Sequence, residues 1–260
     1  MNVPKIVKMK GKEKIVMATA YDAPTARILQ DAGIDIILVG DSLGNNVLGY
    51  DSTIPVTMEE MLIHVKAVRR GADNAFIVAD MPFLSYGVSV EEGIKNAGLF
   101  MKAGANAVKL EGGREFSELI GKLISIGIPV MGHLGFTPQS LNVVGGYKVR
   151  GKATEEKERL LEDASILEET GVFSIVLEMV IENVAKEVTE TISIPTIGIG
   201  SGRYCDGQVL VFHDIVGLNP DFKPKFAKRY MNAYEEMLKA VSQFKDEVKN
   251  RTFPAEEHKF

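Results

Sequence analysis

Eight short aliphatic runs recur along this 260-residue chain, and the first six are each followed by a longer stretch whose apolar residues fall at helical spacing. That alternation is the rhythm of βα units wound around a parallel sheet. The runs lie at residues 14–20 (KIVMATA), 35–40 (DIILVG), 76–79 (FIVA), 107–110 (AVKL), 129–132 (PVMG), 174–177 (SIVL), 196–199 (TIGI) and 209–212 (VLVF). Their apolar character is nearly continuous, as expected of strands covered on both faces. Helices are predicted at 24–32, 58–70, 90–103, 115–126, 154–170 and 181–189. The first opens at Pro24, tolerated in an initial helical turn, and stops at Gly33, whose missing Cβ permits a left-handed cap. Met58, Met61, Leu62, Val65 and Val68 give the second a stripe that would pack on the sheet.

Eight strands in a chain of this length favour a (β/α)8 barrel over a doubly wound open sheet. A single core of this size buries roughly three quarters of the unfolded surface, so no disulfide or metal staple is needed for folding. The nucleotide-binding alternatives lack their fingerprints. Arg203 stands where a dinucleotide loop needs its third glycine, and Gly151-Lys152 is followed by Ala153, which breaks a phosphate-binding lysine motif. The expectation is one barrel domain over 1–260, with 221–260 as a C-terminal helical extension. In that extension Phe226, Tyr230, Ala233, Met237, Val241, Phe244 and Val248 follow helical spacing, a face that must pack on the barrel or on another subunit.

Charge and composition exclude several function classes. Thirty basic against 35 acidic residues, spread along the chain, leave a net charge of −5 and no basic stripe for a nucleic-acid backbone. No apolar run reaches transmembrane length, and the opening MNVPKIVKMKGKEK lacks the continuous apolar stretch of a signal peptide, so a cytoplasmic location is expected. The single cysteine, Cys205, rules out an internal disulfide framework; it reads as incidental more readily than as a nucleophile. His64, on the second predicted helix, reads as a surface or locally bonded histidine, because nothing places it at a strand end.

The informative pattern is where the acids fall. Asp41, Asp80, Glu111 and Glu178 each follow a predicted strand directly, and His133 does the same. Lys109, two residues before Glu111, points to the same side of its strand. In a barrel all strand ends open on one rim, where residues remote in sequence converge. Any one of these carboxylates could merely cap the next helix. Four on one rim would repel one another unless a cation neutralises them or some stay protonated. Oxygen-only ligands suit a hard divalent ion, Mg2+ first and Mn2+ as a substitute, with open positions for a chelating substrate and water. Such a site polarises a 2-oxo acid and stabilises the enolate formed when a base removes the adjacent proton. Glu178 is the candidate base. Lys109 would neutralise the substrate carboxylate, since an ammonium among carboxylates stays protonated and makes a poor Schiff-base nucleophile.

The segments TAYDAPTARILQDAGIDIILVGDSLGNNVLGYDSTIPVTMEEM, VADMPFLSYG, AVKLEGG, MGHLGFTPQSLNVVGGYKVRGK and IGIGSGRYCDGQVLVFHDIVGL closely resemble the ketopantoate hydroxymethyltransferase family. The likeness runs from about residue 14 to 218. It implies a (β/α)8 barrel that transfers the one-carbon unit of 5,10-methylenetetrahydrofolate to 3-methyl-2-oxobutanoate, giving 2-dehydropantoate on the route to pantothenate. By motif, it implies that Asp41 of VGDSLG helps hold Mg2+ beside the substrate and that Ser42 contacts the oxo acid. Asp80 of VADMPF and Glu111 of VKLEGG fall on the metal side, directly or through water, with Asp80 also near the substrate. Lys109 matches a substrate-binding lysine, Glu178 of IVLEMV the proton acceptor, and His133 of MGHLG a histidine lining the substrate site. One departure stands out: related sequences carry a Cys and then a Pro after the catalytic Glu, where this chain has Met179, Val180 and Ile181, so the start of the next helix is open.

The resemblance and the apolar C-terminal stripe together imply a homo-oligomer, with a decamer as the expected assembly. Residues 142–146 (NVVGG) and the GIGSG loop could shape the pterin side, since glycines let a flat ring approach backbone, or could be ordinary turns. Two rival readings remain. A carbon–carbon lyase acting on a larger 2-oxo or 2-hydroxy acid could use the same constellation, and would not consume the folate. A catalytically dead scaffold would have lost at least one strand-end carboxylate, and all four are present.

Overall fold

The computed structural model describes residues 1–260, in two compact units, Met1–Val211 and Phe212–Phe260. In the first unit the eight aliphatic runs form a closed parallel barrel in sequence order. Its strands are β1 (Ile15–Thr19), β2 (Ile36–Val39), β3 (Phe76–Asp80), β4 (Ala107–Glu111), β5 (Val130–Gly135), β6 (Ser174–Glu178), β7 (Thr196–Ile199) and β8 (Gly207–Leu210). Around them run α1 (Val3–Lys8), α2 (Ala23–Asp31), α3 (Met58–Gly71), α4 (Val90–Ala103), α5 (Ser117–Ser125), α6 (Leu141–Val144), α7 (Thr154–Thr170) and α8 (Glu182–Thr191). No helix is long and apolar enough to cross a membrane.

Helix starts follow local chemistry. Asp22 accepts the Thr25 N–H at 2.7 Å ahead of Pro24, and Thr57 with Glu60 forms a reciprocal capping box at the head of α3. The predicted 115–126 helix divides into a tight turn at Arg114–Phe116 followed by α5. The last strand lies two residues earlier than the 209–212 run. Its first residue, Gly207, pairs with Ile15 of β1, and a Cβ there would sit 2.4 Å from the Ile15 carbonyl, so backbone closeness rather than hydrophobicity fixes where β8 begins. Phe212 instead opens the short helix α9 (Phe212–Val216).

Inward-facing residues alternate along each strand and stack into layers. Ile15, Met17, Ile36, Leu38, Phe76, Val78, Ala107, Met131, Val176, Ile197 and Val209 form one buried cluster. Each Ile, Leu, Met, Phe or Val side chain among them contributes on the order of 1.5–3 kcal/mol by leaving water. Ile6 of α1 and the following Met9 join this cluster beside the first residues of the strands. Lys10 fastens that segment, donating to Asp206 at 2.8 Å and to the Thr189 carbonyl at 2.6 Å.

The second unit departs from the expected stripe. Its long helix, α10, spans Ala233–Lys249, so Phe226 and Tyr230 precede it in irregular chain. Arg229 donates to the carbonyls of Asn219 and Phe222, which folds that stretch into a loop before a helix can begin. Along α10 only Ala233 is buried; Met237, Leu238, Val241, Phe244 and Val248 are exposed.

Candidate active site

The strand period that buries the apolar layers also aims the charged residues. Asp80 continues the inward column of Phe76 and Val78, Lys109 and Glu111 that of Ala107, His133 that of Met131, and Glu178 that of Val176. Asp80, Glu111 and Glu178 are the last residues of their strands, and His133 lies inside β5, two residues before its end. Asp41 follows β2 by two residues. The C-terminal rim therefore gathers all six, and Asp41, Asp80, Lys109, Glu111 and His133 are buried there.

Lateral register makes the first contacts. Asp80 stands directly across from Lys109, and Lys109 Nζ lies 2.6 Å from Asp80 Oδ1. Glu111 stands across from His133, with His133 Nδ1 3.6 Å from Glu111 Oε1. Lys109 Nζ also reaches His133 Nδ1 at 3.3 Å. An ammonium can only donate, so Nδ1 accepts and the proton of the neutral ring sits on Nε2. That Nε2 lies 3.2 Å from Glu178 Oε2, short of an aligned hydrogen bond. Burial, and then Lys109, hold the His133 pKa well below the usual histidine range, which keeps the ring neutral.

The loops add a second set of contacts. Gln139, in the turn Pro138–Ser140 after β5, donates through Nε2 to Asp41 Oδ2 at 2.8 Å and to the Met81 carbonyl at 2.9 Å. Its backbone N–H donates to Glu111 Oε2 at 3.0 Å, and its Oε1 accepts from the Tyr86 hydroxyl at 2.7 Å. Asp41 donates its own N–H to Asp80 Oδ2 at 3.2 Å. Ser42 shares a hydrogen bond of 2.8 Å with the Tyr21 hydroxyl. Gln139, Tyr86 and Tyr21 were not singled out from the sequence, although all three lie inside segments that carry the family resemblance.

Backbone geometry places Glu178. Gly135, at φ 100°, lets the Phe136 N–H donate to the Glu178 carbonyl at 2.8 Å; a Cβ at this position would stand 2.3 Å from that oxygen. Met179, next to Glu178, has φ 49°, a strained value for a side chain of its size. It is held between the Ile199 carbonyl and the Arg150 N–H, each at 2.8 Å. The GIGSG loop braces the same corner, because Ser201 Oγ donates to the Leu177 carbonyl and accepts the Val180 N–H. With Ile181 at the cap position, α8 begins at Glu182.

Charge is unbalanced in this pocket. Four carboxylates face one ammonium and a neutral imidazole. Burial, reinforced by Asp80, pushes Asp41 up to about 7. Burial and then Asp41 raise Glu111 well above the carboxylate range. Burial raises Glu178 to about 7, against the opposing pull of Lys109. Burial alone would lower Lys109, but Asp80, Glu111 and Asp41 outweigh it and hold the ammonium above the ordinary lysine value. A divalent cation fits this deficit, and an all-oxygen donor set fits a hard one. No three acidic, histidine or cysteine side chains converge on one point. The protein would thus supply one or two carboxylates and leave the remaining positions to substrate and water, the usual arrangement for Mg2+.

Two other sequence candidates lie elsewhere. His64 bonds the Tyr21 carbonyl through Nδ1 at 2.5 Å, a local partner. Cys205 is buried beside Thr196 and Thr189, and burial pushes its thiol up, away from nucleophilic use.

Comparison with known proteins agrees with this architecture. The chain is 71% identical over 260 residues to 3-methyl-2-oxobutanoate hydroxymethyltransferase of Thermosipho africanus, covering all of this chain and 98% of the relative. Among solved structures, 2,3-dimethylmalate lyase, a PEP mutase/isocitrate lyase superfamily member, superposes with a TM-score of 0.60 at 13% identity, over 99% of this chain and 88% of that one. Phosphoenolpyruvate phosphomutase of Streptomyces platensis subsp. rosaceus gives 0.62 at 15% identity, over 100% and 92%. At such identities the likeness is one of fold alone. The profile of the ketopantoate hydroxymethyltransferase family matches residues 1–256, and the chain belongs to that family of transferases.

Proposed function

We propose that this chain transfers the one-carbon unit of 5,10-methylenetetrahydrofolate to 3-methyl-2-oxobutanoate, yielding 2-dehydropantoate and tetrahydrofolate with the uptake of water. The observation that carries the reading is the pocket itself: four carboxylates at the barrel rim around Lys109, with Glu178 raised to about 7. Asp41 and Asp80 would hold Mg2+, with Glu111 reaching it through water; when bound, the ion supplies Lewis-acid charge that stabilises an enolate.

The remaining work falls to side chains. Lys109 neutralises the carboxylate of the oxo acid, and Ser42, oriented by Tyr21, contacts the same substrate. Glu178 takes the C3 proton. A base near pH 7 is half ionised at working pH and gives useful proton transfer in both directions. His133, neutral and with its Nε2 3.2 Å from Glu178 Oε2, lines the substrate site. Water adds its oxygen to the donor carbon while the bonds from that carbon to N5 and N10 break and each nitrogen takes one of the water protons, so tetrahydrofolate leaves. The electron pair left at C3 bonds to the carbon, and the proton taken by Glu178 returns to the oxygen as the product hydroxyl.

The enzyme is further proposed to act in the cytoplasm as a homo-oligomer, a decamer, to which the exposed apolar face of α10 contributes. The deciding experiment supplies the Mg2+-loaded chain with methylenetetrahydrofolate and 3-methyl-2-oxobutanoate and follows tetrahydrofolate release. Stoichiometric release with the oxo acid is expected. Turnover of an oxo or hydroxy acid without folate consumption would replace this reading with that of a carbon–carbon lyase.

A further inference from the structure

Next to the carboxylate cluster lies a cavity of about 320 Å3. Its walls are Phe83, Leu84 and Tyr86, from the segment after β3, together with Phe116, Thr137 and Ser140. Glu111 and Gln139 belong both to this cavity and to the charged pocket. We infer that the cavity receives the bicyclic head of the one-carbon donor, a reduced pterin; this rests on the transferase reading above.

Three features select such an occupant. The first is continuity. A carbon–carbon bond forms only if donor carbon and acceptor C3 are held in contact, so the donor site must adjoin the oxo-acid site. Glu111 and Gln139 line both. The second is the apolar surface: the Tyr86 and Phe116 rings meet edge to face with centroids 5.0 Å apart, and Phe83 and Leu84 remain partly exposed at the opening. Leu84 is held at φ 63°, a strained conformation kept at the edge of the cavity. Flat rings bind against walls of this kind.

The third feature is the sign of the polar groups. No lysine, arginine or histidine lines the cavity, whereas Glu111, Glu115, Gln139, Thr137 and Ser140 offer acceptors. Phosphorylated or carboxylated groups are disfavoured there. A 2-amino-4-oxopyrimidine ring is uncharged and presents N–H donors along one edge, which matches. A volume near the lower end of ligand sites, about 300–1,000 Å3, holds the ring system and leaves the acidic tail of a folate in solvent. The 142–146 segment contributes none of these walls, and Val143 within it is 91% exposed.

Gly87 allows a direct test. It lines the cavity, and a Cβ added there meets nothing within 4 Å, so Gly87→Leu takes up cavity space without forcing the fold apart. Steady-state kinetics of the full-length Mg2+-loaded enzyme, and tetrahydrofolate binding by calorimetry without the oxo acid, provide the readouts. Gly87→Leu is expected to raise the donor KM and the tetrahydrofolate Kd about tenfold or more while the oxo-acid KM stays within about twofold. Val143→Asp should move none of them. Unmoved donor constants in Gly87→Leu, a rise in the oxo-acid KM instead, or the loss falling on Val143→Asp would each overturn the assignment.

The chain has no tryptophan, so Phe116→Trp supplies a single indole in the cavity wall, excited selectively over the tyrosines, for a second measurement. Saturating tetrahydrofolate should quench it; an unaltered emission at saturation also overturns the assignment. A wild-type enzyme that never releases tetrahydrofolate sinks the transferase reading and this inference with it. Normal wild-type release with unmoved variants refutes the cavity alone.

Discussion

Lys109 Nζ lies 2.6 Å from Asp80 Oδ1, between residues that face each other across β3 and β4 at the rim of the barrel. This ammonium is the only positive charge that a lysine or arginine brings into contact with the buried carboxylates of the site. Removing one member of a buried pair strands the other, a loss of about 3–5 kcal/mol. Lys109→Met should therefore destabilise the metal-free chain by about that amount at pH 8, measured by urea unfolding. The penalty should shrink at pH 5.5, where Asp41 and Glu178, both at about 7, take up protons and no longer need a counter-charge. An equal penalty at both pH values would contradict the electrostatic origin.

Glu178 sits at about 7 because burial disfavours its ionised form. Only the ionised form accepts a proton, so C3 proton exchange of the oxo acid in deuterated water should rise with pH through about 7 and level off above it. Glu178→Gln should slow that exchange by about 10²-fold or more, the usual worth of a positioned base. Oxo-acid binding should persist in the variant. Exchange at the wild-type rate would remove Glu178 from the mechanism.

Gln139 ties Asp41, Met81, Tyr86 and Glu111 together from one short turn. Such partners fix the orientation of a metal-binding carboxylate and typically contribute 10–100-fold in metal affinity. Gln139→Leu should weaken Mg2+ binding by about that factor in a calorimetric titration, independent of turnover. Unchanged affinity would reduce Gln139 to a packing role.

Much of the barrel was legible because its signals are local. Continuous aliphatic runs, caps such as Asp22 and Thr57, and an acid after each of four runs can be read from neighbours in sequence. Asp80, Glu111 and Glu178 stood out because strand period and strand end coincide at them. Gln139 gave no such signal. Its bond to Asp41 joins residues 98 apart, and only closure of the barrel brings the turn after β5 over the exit of β2. The α1 helix was silent for another reason: VPKIVK has six residues, too few for a periodic pattern, and its value lies in Ile6 filling the barrel interior. Glycine backbone constraints, as at Gly207, likewise override the aliphatic pattern that placed the last strand two residues late.

The α10 helix carries the last prediction. Met237, Leu238, Val241, Phe244 and Val248 expose an apolar stripe along a helix that buries only Ala233. A contiguous apolar face of this extent on an isolated chain is costly in water and marks a contact surface. In the proposed homo-oligomer it lies between copies, so a charge placed at its centre must be desolvated on assembly and opposes association. Val241→Glu combined with Phe244→Glu should lower the mass seen by light scattering at micromolar concentration. The far-ultraviolet circular dichroism of the chain should change little, because glutamate is a good helix former, Val241 faces solvent, and Phe244, though its ring meets Phe253 edge to face, is itself more than half exposed. A wild-type monomer would refute the assembly outright, and an unchanged oligomer in the double variant would place its interface on another surface.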